Sequence, residues 1–269
     1  MRKLPTVLDL QRLKGKKQLT MLRYFSLEEA AAAEAAGIDI ASVPDEICLR
    51  PDYRDHAPSI FTMTGLTHLQ CGHPDDYLRW CADAMNRGAD AVYCSGSYQT
   101  VEMLAREHIP VVSHVGLVPH RATWTGGFVA VGKTAEGARA MLDECRRYQD
   151  AGAIAVEIEV VPPEVSSEIS KRVDILLWSM GAGAGCDAQY LFANDILGYT
   201  EGHIPRHSKI YRDFRAEYAR LQAERIAAFT EFVTDVETGA YPAEEHLVSM
   251  EPGELDRFLE GLDSAPAKG

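Results

Sequence analysis

Three short stretches of this chain share one cadence: "EAAGIDI" (34–40), "NRGADAV" (86–92) and "DAGAIAV" (150–156). In each, a helical pattern stops on a glycine and runs straight into apolar residues. Glycine is the residue that ends a helix in the left-handed region without steric cost. A helix, a glycine turn and a buried strand, repeated, are the joints of a parallel sheet covered by helices. The strand runs are "LTMLRYF" (19–25), "IDIASVP" (38–44), "SIFTMTG" (59–65), "ADAVYCS" (89–95), "PVVSHVG" (110–116), "AIAVEIEVV" (153–161) and "DILLWSMG" (174–181). An eighth is expected near "AQYLFAND" (188–195).

Eight such units predict an α/β fold, a (β/α)8 TIM barrel with a C-terminal helical extension; 269 residues suit it. No GxGxxG follows the first strand, which weighs against a dinucleotide-binding open sheet. Ser26, with Glu29 three residues on, and Thr134 are expected N-caps; Gly37, Gly88 and Gly152 are expected helix stops. The barrel core is placed at 1–205. Helices over 206–263, one long from about 206 to 238, are expected to pack on the barrel or a neighbouring subunit, with 264–269 as a tail.

A net charge of −13 without a Lys/Arg cluster argues against nucleic acid and anionic membranes as partners. The basic amino terminus lacks the apolar core of a secretory signal. Six scattered cysteines with no CxxC pair read as reduced thiols, so a cytoplasmic enzyme is expected.

In a barrel, chemistry sits at the carboxyl ends of the strands. Side chains alternate along a strand, so Glu157 and Glu159 share one face, as do Tyr93 and Ser95. Two carboxylates on one face of a barrel strand need partners or a function. His114 ends the fifth strand, and Asp45 follows the second with Glu46 beside it. His68, Cys71 and His73 in "THLQCGH" match no zinc signature and read as a polar loop. "GAGAGCD" (181–187) gives close backbone approach and is no phosphate loop.

The ordered motifs "HVGLVPH" (114–120), "GGFVAVGK" (126–133), "EIEVVPPEVSSEIS" (157–170), "MGAGAGCDAQYLFANDILGY" (180–199) and "ETGAYPAEEH" (237–246) resemble the ketopantoate hydroxymethyltransferase family. That family lies within the phosphoenolpyruvate mutase/isocitrate lyase superfamily. The resemblance runs over about residues 17–246. It implies a homo-oligomeric enzyme of pantothenate biosynthesis that adds a one-carbon unit from methylenetetrahydrofolate to a small 2-oxo acid, a carboxylate substrate, with Mg2+. A cation stabilises the enolate oxygen that forms when a base removes the α-proton.

By resemblance, Glu159 is the general base and His114 its catalytic companion. Asp45 is the one retained metal-site residue, because Gly65 and Ser95 stand where two further carboxylates are expected. Glu46 replaces a substrate-binding serine and Tyr93 a substrate-binding lysine; Asp45, Ser95 and, from its shared face with Glu159, Glu157 complete the expected substrate-binding set. The connection "EICLRPDYRDHAPS" (46–59) is about a helix shorter than the family's, which reshapes the mouth. Three readings fit: C–C bond making or breaking beside a 2-oxo acid's carbonyl; a metal-independent lyase, tautomerase, decarboxylase or hydrolase; and a non-catalytic oligomeric barrel.

Overall fold

The computed structural model describes residues 2–65 and 71–263. Its eight parallel strands pair in chain order and close on themselves, β1 against β8. They are β1 Leu19–Arg23, β2 Ile40–Val43, β3 Phe61–Gly65, β4 Ala91–Tyr93, β5 Val111–Gly116, β6 Ala155–Glu159, β7 Leu176–Met180 and β8 Ala188–Phe192. Every expected strand is present.

The helices are α1 Val7–Gln11, α2 Leu27–Ala36, α3 Asp45–Cys48, α4 Tyr53–His56, α5 Pro74–Asn86, α6 Tyr98–Arg106, α7 Ala122–Thr125, α8 Ala135–Asp150, α9 Pro163–Ser170, α10 Ala193–Leu197, α11 Phe214–Thr238 and α12 Glu254–Asp263. Ser26 caps α2 by accepting from the Glu29 amide, and Glu29 returns the bond to the Phe25 amide at 2.7 Å. Thr134 caps α8 in the same way. Gly37 follows α2 at φ +83°, while Gly88 and Gly152 sit at +103° and +90° before their strands.

Two apolar layers result. Val92, Val111, Val156, Ile158 and Leu177 point outward to the helices. Leu19, Met21, Ile40, Phe61, Met63, Val112, Leu176 and Trp178 fill the barrel interior, joined by Leu10 of α1. Sequence periodicity did not predict α1. Its neighbour Lys14 pairs with Asp187 at 2.8 Å, just before β8 starts, which places this helix at the amino-terminal end of the barrel.

Between β2 and β3 the short connection holds only two single-turn helices, α3 and α4. Tyr53 of α4 anchors them: its buried hydroxyl meets Tyr24 at 2.6 Å and Thr62 at 2.7 Å.

The chain divides into two compact units, Met1–Asp213 and Phe214–Gly269. The long helix expected from residue 206 begins at Phe214. The reason is tertiary: the Tyr211 and Arg212 amides both donate to the Ile196 carbonyl (2.8 and 3.3 Å), and Ser208 Oγ donates to Asp195 at 2.6 Å. Those bonds hold residues 208–212 to α10 and take the amides a helix would need. In the second unit α11 runs for 25 residues and buries none. No helix among the described residues is long and apolar enough to cross a membrane. All six cysteines are free thiols.

Candidate active site

Which side chains reach the mouth follows from strand alternation. Leu19 and Met21 of β1 point inward, so Arg23 does too; on β2 the inward pair is Ile40 and Ser42. The same count brings in Gly65, Tyr93, His114, Glu157, Glu159, Met180, Tyr190 and Phe192 from the following strands. Together they line a cavity of about 620 Å³ at the carboxyl ends. Residues beyond the strands complete the wall: Ser95 and His120 after β4 and β5, Asp195 on α10, and His207 with Ser208.

Five sequence-predicted residues therefore meet in one cavity: Tyr93, Ser95, His114, Glu157 and Glu159. Asp45 and Glu46 are not among its lining residues. They form the first turn of α3, where Asp45 Oδ1 accepts from the Glu46 amide at 3.0 Å. The truncated connection turns into helix at once, so neither side chain continues along the strand into the cavity. His68 lies outside the described residues. Its neighbour His73 is exposed and caps α5 by accepting from the Asp75 amide at 3.3 Å. Arg23, Ser42, Tyr190, Asp195 and His207 belong to the wall although sequence reading passed over them.

His114 is the hub. It is buried, with Tyr93 Oη 2.9 Å from Nδ1 and Glu159 Oε2 3.2 Å from Nε2. Glu157 Oε2 lies 3.7 Å from Nδ1. Burial, with the charges of Glu157 and Glu159, holds the Tyr93 phenol well above its usual range, so it keeps its proton. The hydroxyl then donates to Nδ1 and leaves the ring proton on Nε2, facing Glu159. That contact is close but misaligned for a hydrogen bond.

Burial pushes Glu157 up to about 7; His114 and then Arg23 oppose the rise, and Glu159 adds to it. His207 moves the other way: burial lowers it, against the pull of Glu159 and Asp195. It leans toward the mouth over Gly181, where a Cβ would stand 2.7 Å from His207 Nδ1.

Glu159 ends β6 beside a strained residue. Val160 has φ +51°, a left-handed conformation that costs a β-branched residue about 1–3 kcal/mol. Two backbone bonds hold it there: its amide donates to the Met180 carbonyl (2.9 Å), and its carbonyl accepts from Val131 (3.2 Å). The turn they enforce ends the strand immediately after Glu159.

Residues 54–244 match the family model described as ketopantoate hydroxymethyltransferase. The chain belongs to the ketopantoate hydroxymethyltransferase family. Curated relatives agree. A 3-methyl-2-oxobutanoate hydroxymethyltransferase from Nitratidesulfovibrio vulgaris is 29% identical over 96% of this chain and 90% of its own length. One from Pyrobaculum aerophilum is 39% identical over 64% of each chain, so the aligned part spans just under two thirds of that relative. Among solved structures, a phosphonopyruvate hydrolase complexed with oxalate and Mg++ shares the fold at TM-score 0.50 and 14% identity, over 98% of this chain and 100% of that one.

The family implies a magnesium site, and the residues present do not fit one. Magnesium needs near-octahedral oxygen ligation with protein carboxylates among the ligands. Of the three positions expected to supply them, Asp45 is engaged with its own helix outside the cavity lining. Ser95 is a hydroxyl 3.5 Å from His120 Nδ1. Gly65 has no side chain and no room for one: a Cβ there would sit 2.6 Å from Tyr93 Cβ. Among the described residues no group of three His, Cys, Asp or Glu is arranged to hold a metal.

Proposed function

We propose that this protein is a ketopantoate hydroxymethyltransferase-like enzyme that makes or breaks a C–C bond beside the carbonyl of a small 2-oxo acid, with 3-methyl-2-oxobutanoate as the acceptor. One observation carries the reading: a buried Tyr93–His114 pair sets His114 Nε2 3.2 Å from the Glu159 carboxylate in the wall of a cavity of about 620 Å³. In this reading Glu159 takes the C3 proton. The electron pair left on C3 bonds to the incoming one-carbon unit. Methylenetetrahydrofolate, the cosubstrate the family implies, would supply it as its methylene C–N bonds break. Water provides the hydroxyl, and the proton taken by Glu159 returns to the departing folate nitrogen.

His114 orients the base and steadies the carboxyl before and after transfer. Glu157, near neutrality at about 7, holds or releases a proton one layer deeper without becoming a fixed second charge. His207 and Ser95 face the substrate from the rim. Exposed Phe229, Phe232 and Val236 on α11 support assembly with further copies of the chain.

The test is exchange of the C3 proton of 3-methyl-2-oxobutanoate in D2O, followed by proton NMR, then product formation after methylenetetrahydrofolate is added. The expected result is enzyme-dependent loss of the C3 signal, abolished in Glu159→Gln, and a hydroxymethylated product with the folate. Absence of exchange, with and without Mg2+, would overturn the proposal.

A further inference from the structure

The cavity wall contains three carboxylates, Glu157, Glu159 and Asp195, and its substrate is read as an anion. Some cation must offset that charge, and the residues present do not assemble a metal site. Among the described lining residues, Arg23 is the one permanently charged cation; the rest of the positive capacity is histidine.

Arg23 is the last residue of β1 and points inward in step with Leu19 and Met21. Its Nη1 donates to Ser42 Oγ at 2.9 Å on the neighbouring strand. Its guanidinium carbon lies 5.6 Å from the Phe25 ring centre and 5.8 Å from that of Phe192. An arginine held at one nitrogen and flanked by two aromatic faces has its fork pre-oriented at little further entropic cost. A guanidinium carries five N–H donors; Ser42 takes one and Tyr190 engages another. The plane that remains matches the geometry of a carboxylate.

We infer that Arg23, steadied by Ser42 and the two phenylalanines, is the carboxylate clamp of this site, binding the 2-oxo acid directly without a bridging metal. The inference rests on the proposed 2-oxo acid reading and deepens it. An arginine fork can grip the carboxylate while a further N–H faces the 2-oxo oxygen where enolate charge develops. The charge is delocalised and softer than that of a divalent cation, which suits a site whose carboxylates must not chelate it. Tyr190, buried beside the Arg23–Ser42 pair, closes the wall on that side. Glu159 stands on β6, well round the barrel from β1, so an anchored carboxylate at Arg23 lets the C3 end of a short 2-oxo acid point back toward the base.

Calorimetric titration with 3-methyl-2-oxobutanoate, in EDTA and then in excess Mg2+, tests this on the full chain. Wild type is expected to bind in EDTA, with an affinity that Mg2+ changes less than threefold. Arg23→Gln is expected to weaken binding at least 30-fold, and Arg23→Lys, which keeps charge but loses the fork, about tenfold; retained unfolding midpoints show that each variant folds. Binding that requires Mg2+, or that survives in Arg23→Gln, overturns the clamp and leaves the 2-oxo acid reading standing. No binding by wild type in either buffer overturns both.

Discussion

The two halves of the barrel interior are built by the same eight strands in one continuous register, and they are opposite in character. Toward the amino ends the interior is Leu19, Met21, Ile40, Phe61, Met63, Ala91, Val112, Ala155 and Leu176, all buried. One step along each strand it becomes Arg23, Ser42, Tyr93, His114, Glu157 and Glu159. The lower half can be close-packed because nothing in it needs solvation. The upper half holds charge at depth, which costs stability unless each group is paired or neutral. Its answer is the network around His114, a carboxyl that burial pushes up to about 7, and one fixed cation. The comparison teaches that the lower half supplies the stability against which the upper half keeps its uncomfortable groups.

That division can be broken experimentally. Glu159→Gln should lower the rate of C3 proton exchange by about 10²–10⁴-fold while moving the unfolding midpoint little, since the amide is isosteric. The reverse is expected of Phe61→Ala in the lower half: a loss of about 3–5 kcal/mol in denaturant unfolding.

Glu157→Gln sharpens the line between them, because Glu157 sits at the boundary. A carboxyl whose folded pKa is raised to about 7 binds its proton more tightly folded than unfolded, near 4.5. Its contribution is fully favourable below about 4.5 and is lost as pH rises to about 7, amounting to about 3 kcal/mol. Wild type should therefore lose stability over that window relative to Glu157→Gln, as unfolding curves at pH 4.5 and 8 would show. Equal pH dependence in the two proteins would place Glu157 outside the network. The smallest effect is expected from Tyr93→Phe: without its donor, His114 loses its fixed tautomer, and exchange should slow by about tenfold.

Strand alternation made much of this legible from the residues alone. The barrel follows from the glycine cadence, and Tyr93, His114, Glu157 and Glu159 converge because each lies on the inward face of its strand. Arg23, Ser42 and Tyr190 obey the same rule and carry the same signal, masked by a search for carboxylates and motifs. Asp45 was harder. Its place at the end of β2 predicts the mouth, but the shortened connection starts α3 at that residue, where the side chain accepts from the Glu46 amide. Asp195 and His207 could not be read at all, because the path of residues 200–212 is fixed by bonds to α10 that no local pattern encodes.

The 2.6 Å approach between a would-be Cβ at Gly65 and the Tyr93 Cβ ties two neighbouring strands together. Their Cα atoms are register partners on adjacent strands, so the two positions cannot change independently. A side chain at 65 meets the Tyr93 Cβ and carbonyl oxygen, atoms that any residue but glycine keeps at 93, so admitting one requires the two strands to shift. The constraint lies in the spacing of the two strands, so substitution at 93 by any residue but glycine leaves no more room for a carboxylate at 65.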